Sequence, residues 1–147
     1  MKYRNTPINV KSLDHVVIRA HHAPVLVEFY RDIIGCRVER ELPADLGLTQ
    51  LRAGTSLVDI IAVDSKLGKL GGNAPSSEGH NMDHFCLTIE SINELDLIAY
   101  LKDKGVRCGN FSERYGAEGF GRSIYLRDPE GNTLELRMQA DLDGESQ

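Results

Sequence analysis

The sequence predicts an α+β protein built from two βαβββ modules in tandem. Two observations support this fold class. The order of strand, helix and three strands occurs twice along the 147 residues, and an Asp-His pair precedes an apolar strand in both copies, in "LDHVVIRA" and "MDHFCLTIE". His15 and His84 are 69 residues apart, and Gly35 and Gly105, which end the two predicted helices, are 70 apart. Because these features recur in step, a tandem duplication is the simplest explanation.

The first module is predicted over about residues 12–64. Its first strand, "LDHVVIRA", is dominated by β-branched residues, and apolar side chains then recur at helical spacing over residues 23–35, where Gly35 ends the helix. Three strands without an intervening helix follow, in "CRVEREL", "LTQLRAG" and "SLVDIIAV".

A segment rich in Gly, Ser and Pro, about residues 65–80, interrupts both periodicities and is predicted to be a flexible linker. The second module follows over about residues 81–139. Its helix is predicted to begin at Ser91 as N-cap, with Glu94 completing a capping box. The last three strands are predicted in "VRCGNFSE", "RSIYLRD" and "NTLELRMQ", with a turn at "DPEG".

The composition indicates one globular domain over residues 1–147 with a small-molecule ligand. Hydrophobic residues make up 41% and charged residues 27% of the chain, as in ordinary globular proteins. The net charge is -5 and the Lys and Arg residues are scattered, which argues against a nucleic-acid partner. Neither a membrane-spanning apolar run nor the apolar core of a secretory signal is present, so a cytoplasmic location is expected. Three cysteines without a C-x-x-C pair are predicted to be reduced thiols.

Each module supplies a histidine on its first strand and an acid on its last strand. These are His15 with Asp59, and His84 with Glu135. Both acids lie inside apolar runs, and strand alternation predicts that Asp59 faces away from its helix while its neighbours Val58 and Ile60 face it. A half-buried carboxylate is costly unless a positive group compensates it. Because imidazole and carboxylate suit zinc, nickel, manganese, cobalt or iron, the four side chains together predict one divalent metal site.

The chain resembles the vicinal oxygen chelate superfamily, which includes glyoxalase I, extradiol dioxygenases and the fosfomycin- and bleomycin-resistance proteins. The resemblance is carried by "LDHVVIRA", "LVEFYRDIIGCRV", "MDHFCLTIE" and "GRSIYLRDPEGNTLELR". It implies curved sheets that form an open cleft around one metal, usually completed in a homodimer. The family's metal ligands correspond to His15, His84 and Glu135, and a fourth position, Glu or Gln in glyoxalase I, is occupied by Asp59.

The same resemblance implies a reaction in which the metal chelates two oxygens of a small substrate. A lyase of the lactoylglutathione type would use Glu135 or Asp59 as the catalytic group that moves a proton, with a thiol such as glutathione as partner. The segment around Arg122 and Tyr125 is similar to the fosfomycin-resistance branch and implies that both bind substrate. Thiol transfer to an epoxide, epoxide hydrolysis and non-catalytic binding of a drug or metabolite remain alternatives.

Overall fold

The structure is a computed structural model of the chain, and it describes residues 7–76, 78, 80 and 82–140. The first six residues, which are part of the segment inspected for a signal, lie outside the described residues. The same holds for residues 77 and 79 of the predicted linker, for residue 81 at the predicted start of the second module, and for the last seven residues. Among the described residues, no helix combines the length and the apolar character needed to cross a membrane.

The described chain forms strands and helices in the predicted order. The strands are β1 (His15–Ala20), β2 (Arg37–Glu41), β3 (Leu48–Ala53), β4 (Ser56–Ala62), β5 (Phe85–Ile89), β6 (Ser112–Gly116), β7 (Gly119–Arg127) and β8 (Thr133–Met138). The helices are α1 (Ala23–Glu28), which continues as a π-helical segment (Phe29–Ile33), α2 (Lys66–Lys69) and α3 (Glu94–Asp103).

Two four-stranded mixed sheets confirm the tandem α+β fold. The strand order is β1-β4-β3-β2 in the first sheet and β5-β8-β7-β6 in the second. In each sheet the first strand pairs in parallel with the last strand of its module, and the other pairs are antiparallel. This topology places the histidine-bearing strand of each module beside the strand that carries its acid.

Strand alternation separates a helix side from an open face in both sheets. On β4, Val58 and Ile60 are 1% and 0% exposed and pack in the core with Leu26 of α1, which confirms the predicted alternation. On β8, Leu134 and Leu136 are buried in the same way. The core joins both modules, because residues of both sheets and both long helices form one cluster. We call the side of each sheet away from its helix the open face, and it carries His15, Asp59, Glu135 and the other side chains in phase with them.

Part of the predicted flexible linker is regular, so the prediction was wrong there. Helix α2 forms within it because the Ser65 side chain accepts a hydrogen bond from the backbone N–H of Gly68. The segment after the helix is fixed from the first sheet, where the Arg19 guanidinium donates to the carbonyls of Gly71 and Gly72 at 3.1 and 2.6 Å. Such long-range contacts cannot be inferred from the composition of the linker.

The second module also corrects two predicted details. The N-cap of α3 is Asn93, whose side chain accepts from the backbone N–H of Asp96 at 3.0 Å, and not Ser91. In the predicted strand "VRCGNFSE", the first half forms an isolated bridge from Cys108 to Leu126, and β6 begins only at Ser112.

The predicted turn between β7 and β8 is confirmed and also binds the first module. The buried hydroxyl of Tyr30 donates to Asp128 at 2.8 Å. The Glu130 carboxylate accepts from the backbone N–H groups of His21 and His22 at 3.0 and 2.8 Å, at the start of α1. The free N–H groups of a helix start attract an anion, so this turn completes a helix in the other module.

Candidate metal centre

The second module brings its predicted ligands together. Parallel pairing of β5 with β8 sets Cys86 opposite Glu135, and His84 lies directly before β5. The His84 Nε2 atom is 3.1 Å from Glu135 Oε1, and the Glu135 side chain is 8% exposed. The Tyr125 ring contacts His84 edge to face, with centroids 5.0 Å apart. Burial, and next the charge of Glu135, raise the pKa of Tyr125, so its phenol stays protonated as a donor.

The first module places His15 and Asp59 on one open face, through the parallel pairing of β1 with β4. Asp59 is only 3% exposed. Its Oδ2 atom accepts from Gln50 Nε2 at 3.0 Å, whereas Oδ1 is buried without a hydrogen-bond partner among the described residues. A buried carboxylate oxygen without a donor is destabilising, so the chemistry of this site calls for a cation at Oδ1.

The two repeated Asp-His pairs have the same local geometry. The Nδ1 atom of His15 is 2.7 Å from Asp14 Oδ2, and the Nδ1 atom of His84 is 2.7 Å from Asp83 Oδ2. The hydrogen bond to Asp14 is the largest cause of the raised pKa of His15, to which the charge of Asp59 also contributes. An Nδ1 proton shared with a carboxylate leaves Nε2 free to bind a metal and fixes the ring orientation.

The four predicted ligands occur as two pairs, and one copy of the chain does not bring the pairs together. Within the part of the chain that the structure describes, no three His, Cys, Asp or Glu side chains lie close enough to hold a metal ion. The donor set nevertheless fits a divalent cation, since each pair offers an imidazole nitrogen and a carboxylate oxygen, and Asp59 has an oxygen without a partner.

Arg122 and Tyr125 lie on opposite sides of β7. Arg122 is in phase with the core residue Ile124 and forms a bidentate ion pair with Glu94 of α3, at 2.7 and 2.9 Å. It therefore points to the helix side, and the structure does not place it beside Tyr125 on the open face as the sequence resemblance implied.

Two other arginines lie on the open face that carries Tyr125, and sequence reasoning missed both. The Arg114 guanidinium stacks over the Tyr125 ring at 4.4 Å, and Arg137, 7% exposed, follows Glu135 by two positions on β8. The spacing of Glu135 and Arg137 is a signal in the sequence, because residues two apart on a strand share a face.

The protein thus consists of two βαβββ modules, and each sheet carries a histidine and an acid on its open face. The chain belongs to the Glyoxalase/Bleomycin resistance protein/Dioxygenase superfamily, whose family model matches residues 12–136. This match covers nearly all of the two sheets and confirms the family that the sequence resembles.

One curated relative and several solved structures are similar to the chain. Biphenyl-2,3-diol 1,2-dioxygenase 3 from Rhodococcus globerulus is 28% identical over 128 residues, which are 86% of this chain and 62% of that enzyme. The chain thus spans less than two thirds of that relative. Lactoylglutathione lyase from Agrobacterium tumefaciens matches with a TM-score of 0.63 and 17% identity, over 90% of this chain and 96% of the other.

A glyoxylase/bleomycin resistance protein/dioxygenase domain from Frankia sp. EAN1pec has a TM-score of 0.69 at 17% identity, over 90% of this chain and 100% of the other. At these identities the solved structures show a shared fold.

Proposed function

We propose that the protein is a metal-dependent enzyme that acts on a small, oxygen-chelating substrate. One divalent cation, which could be zinc, nickel, manganese, cobalt or iron, would be held by His15, Asp59, His84 and Glu135. The observation that carries the proposal concerns Asp59, which lies on the same open face as His15: its buried Oδ1 atom has no donor among the described residues. When bound, the cation would polarise two substrate oxygens and stabilise the negative charge that develops on them.

The second part of the proposal is that two copies of the chain build the site. The four ligands can meet when the open face of the first module in one copy meets the open face of the second module in another. Two features support this arrangement. β1 and β5 are edge strands of their sheets, and the side chain of His15 is 46% exposed in the single chain. A homodimer of this kind would contain two equivalent centres.

The reaction we propose is a proton transfer of the lactoylglutathione-lyase type, on a substrate that includes a thiol such as glutathione. Gln50 fixes one oxygen of Asp59, so this side chain is suited to holding the cation through the other oxygen. Glu135 has the longer side chain and its carboxylate lies beside His84, so it is suited to move the proton. The chain shares its fold with a lactoylglutathione lyase, and this shared fold supports the proposed reaction type.

A second candidate is ring cleavage of a catechol. It is favoured by the sequence similarity to a dioxygenase and by a ligand set of His15, His84 and Glu135, the two-histidine, one-carboxylate arrangement of non-haem iron oxygenases. In that case Asp59 would contact the substrate or a water. Thiol transfer to an epoxide, epoxide hydrolysis and non-catalytic binding are further outcomes that the same experiments distinguish.

The remaining properties belong to the same proposal. We propose that the two modules, over about residues 12–64 and 81–139, act as one domain. A cytoplasmic location and a small molecule as the ligand, with neither nucleic acid nor membrane as partner, complete the proposal. The three cysteines are free, as is usual in a reducing compartment, and the net charge is -5.

The test begins with metal analysis of protein dialysed against each of the five metals in turn. We expect one divalent ion per chain, lost in His84→Ala and retained in the matched control His21→Ala, whose ring contacts the Pro75 carbonyl away from the two pairs. If the unaltered protein retains no metal above trace, the metal-dependent enzyme is contradicted and non-catalytic binding of a small molecule is left as the function. With metal bound, assays with a hemithioacetal, a catechol, and fosfomycin plus a thiol separate the reactions.

A further inference from the structure

We infer that Arg114 and Arg137 form an oxyanion subsite on the open face of the second sheet, so that the substrate carries a carboxylate or a similar anionic group. The inference rests on the proposed function for the role of this anion as substrate. The subsite itself is argued from the contacts of the two arginines, and it can be tested without metal.

Arg137 is a buried cation without an acidic partner. It is 7% exposed, and its guanidinium donates to the backbone carbonyl of Gly119 at 2.5 Å and to that of Arg114 at 3.3 Å. Among the described residues no carboxylate forms an ion pair with it. The nearby Glu135 carboxylate is engaged with His84. A desolvated guanidinium without a counter-charge favours the arrival of an anion.

The glycines of the β6–β7 hairpin leave space for Arg137 in its present position, because a side chain at either of two of them would require the guanidinium to move. A Cβ atom on Gly116 would lie 2.5 Å from Arg137 Nη1, and one on Gly121 would lie 2.8 Å from Nη2. The two glycines thus let the guanidinium lie against the hairpin. A positive charge is therefore held on this face even though carbonyl oxygens alone compensate it.

Arg114 provides the accessible part of the subsite. Its Nη1 atom donates to the carbonyl and to the Oγ of Ser123 at 2.7 and 3.0 Å, while Nε and Nη2 make no hydrogen bond with the described residues. Arg114 is paired with Gly121 across the hairpin, which places it next to Arg137. A guanidinium with free N–H donors matches the planar geometry of a carboxylate.

Tyr125 joins this subsite to the candidate metal centre. One side of its environment is the His84 ring at 5.0 Å, and another is the Arg114 guanidinium at 4.4 Å. An anionic group at Arg114 would therefore lie about one aromatic ring away from His84 and Glu135. A small substrate spans such a distance, which makes the arginines a specificity determinant for an acidic substrate.

The test measures binding of pyruvate to protein stripped of metal with EDTA, by following backbone amide signals in NMR at low salt. Methyl pyruvate, in which the carboxylate is esterified, is the ligand control. We expect pyruvate to bind and to shift signals of β6, β7 and β8, and Arg114→Gln to weaken its binding about tenfold or more, as loss of a charge-assisted contact does. The matched control Arg122→Gln, whose guanidinium pairs with Glu94 on the helix side, should bind as the unaltered protein does.

Arg137 is tested with a pair of variants because it is buried. Arg137→Lys keeps the positive charge beside Arg114 and should retain binding within about threefold, whereas Arg137→Met removes that charge and should lose binding. If Arg137→Met does not fold, Arg114→Gln decides alone.

Equal binding of pyruvate and methyl pyruvate, or equal binding by Arg114→Gln and Arg122→Gln, would overturn the subsite and show that the arginines only brace the hairpin. These outcomes are independent of the metal analysis. If pyruvate binding depends on Arg114 but the unaltered protein takes up none of the five metals when they are supplied, the subsite is upheld and the metal-dependent enzyme is contradicted.

Discussion

At the scale of single residues, Asp59 is the most consequential side chain of the first module. Its carboxylate is 3% exposed, and one of its oxygens lacks a donor among the described residues. We expect Asp59→Asn to raise the free energy of unfolding of the metal-free protein by about 1 kcal/mol, because the variant buries no charge. The same change should abolish the stabilisation that added metal gives. Urea denaturation with EDTA and with metal measures both effects, and destabilisation of the metal-free variant would contradict the assignment.

The aspartates before the two histidines are expected to act on the metal through the imidazole rings. Asp83 holds Nδ1 of His84 at 2.7 Å although its own side chain is exposed. Asp83→Ala should lower metal affinity about 10- to 100-fold, as loss of such supporting hydrogen bonds does elsewhere. Competition with a chelating dye measures the affinity. Asp103→Ala, which removes an exposed carboxylate at the end of α3, is the matched control, and an equal effect of both variants would exclude a specific role for Asp83.

The buried thiol of Cys36 should react more slowly than an exposed thiol. Burial raises the pKa of Cys36 to about 11, and Cys36 is 5% exposed. Because the thiolate is the reactive form, alkylation of Cys36 by iodoacetamide at pH 8 should be about 100-fold slower in the native protein than in urea. Peptide mass spectrometry measures both rates. Similar rates in the two states would show that this part of the core is open.

At the scale of elements, α3 offers a direct test of its start. Asn93 caps the helix, whereas Ser91, two residues earlier, makes no capping hydrogen bond. Asn93→Ala should lower the free energy of unfolding by about 1 kcal/mol, and Ser91→Ala should change it by only a few tenths. Urea denaturation of the two variants compares them at equal side-chain size. A larger loss in Ser91→Ala would restore the start that the sequence predicts.

Local periodicity predicted the elements well where the pattern was strong. The strands around Val58 and Leu134 alternate as their apolar residues indicate, and both sheets have the order expected of duplicated modules. Errors occurred where a distant contact decided the local structure. Helix α2 depends on Ser65 as a cap, and the chain after it depends on Arg19, which lies 52 residues before the first carbonyl it contacts.

The candidate site was predictable to the same extent. Repetition pointed to His15, Asp59, His84 and Glu135, and each module brings its own pair together on one face. The separation of the two pairs depends on how the modules pack, which leaves no trace in local spacing. The arginine beside Tyr125 is Arg114, and not Arg122 as the sequence resemblance implied. This contact depends on the pairing of β6 with β7, and neither helical nor strand periodicity shows which hairpin residues meet.

At the scale of the whole molecule, the contact of Tyr30 with Asp128 connects the modules. Tyr30 is fully buried, and Asp128 also accepts from Asn132 and from the backbone of Glu130. Tyr30→Phe should lower the free energy of unfolding by about 1 kcal/mol, because one buried hydrogen bond is lost while Asp128 keeps its other donors. Thermal and urea unfolding measure the loss. Tyr115→Phe, at a side chain that is 74% exposed, is the control, and an equal effect of the two changes would contradict a role for the buried bond.

The two modules differ in one contact between them, which the second module supplies and the first receives. In the turn between β7 and β8, Glu130 accepts hydrogen bonds from the backbone at the start of α1. The corresponding turn of the first half, Ala53 to Ser56, contains no acidic residue that could make such a contact. A chain assembled from two first halves would lack this carboxylate at the start of both helices. The two halves are therefore not interchangeable, because the first half uses a contact that only the second half supplies.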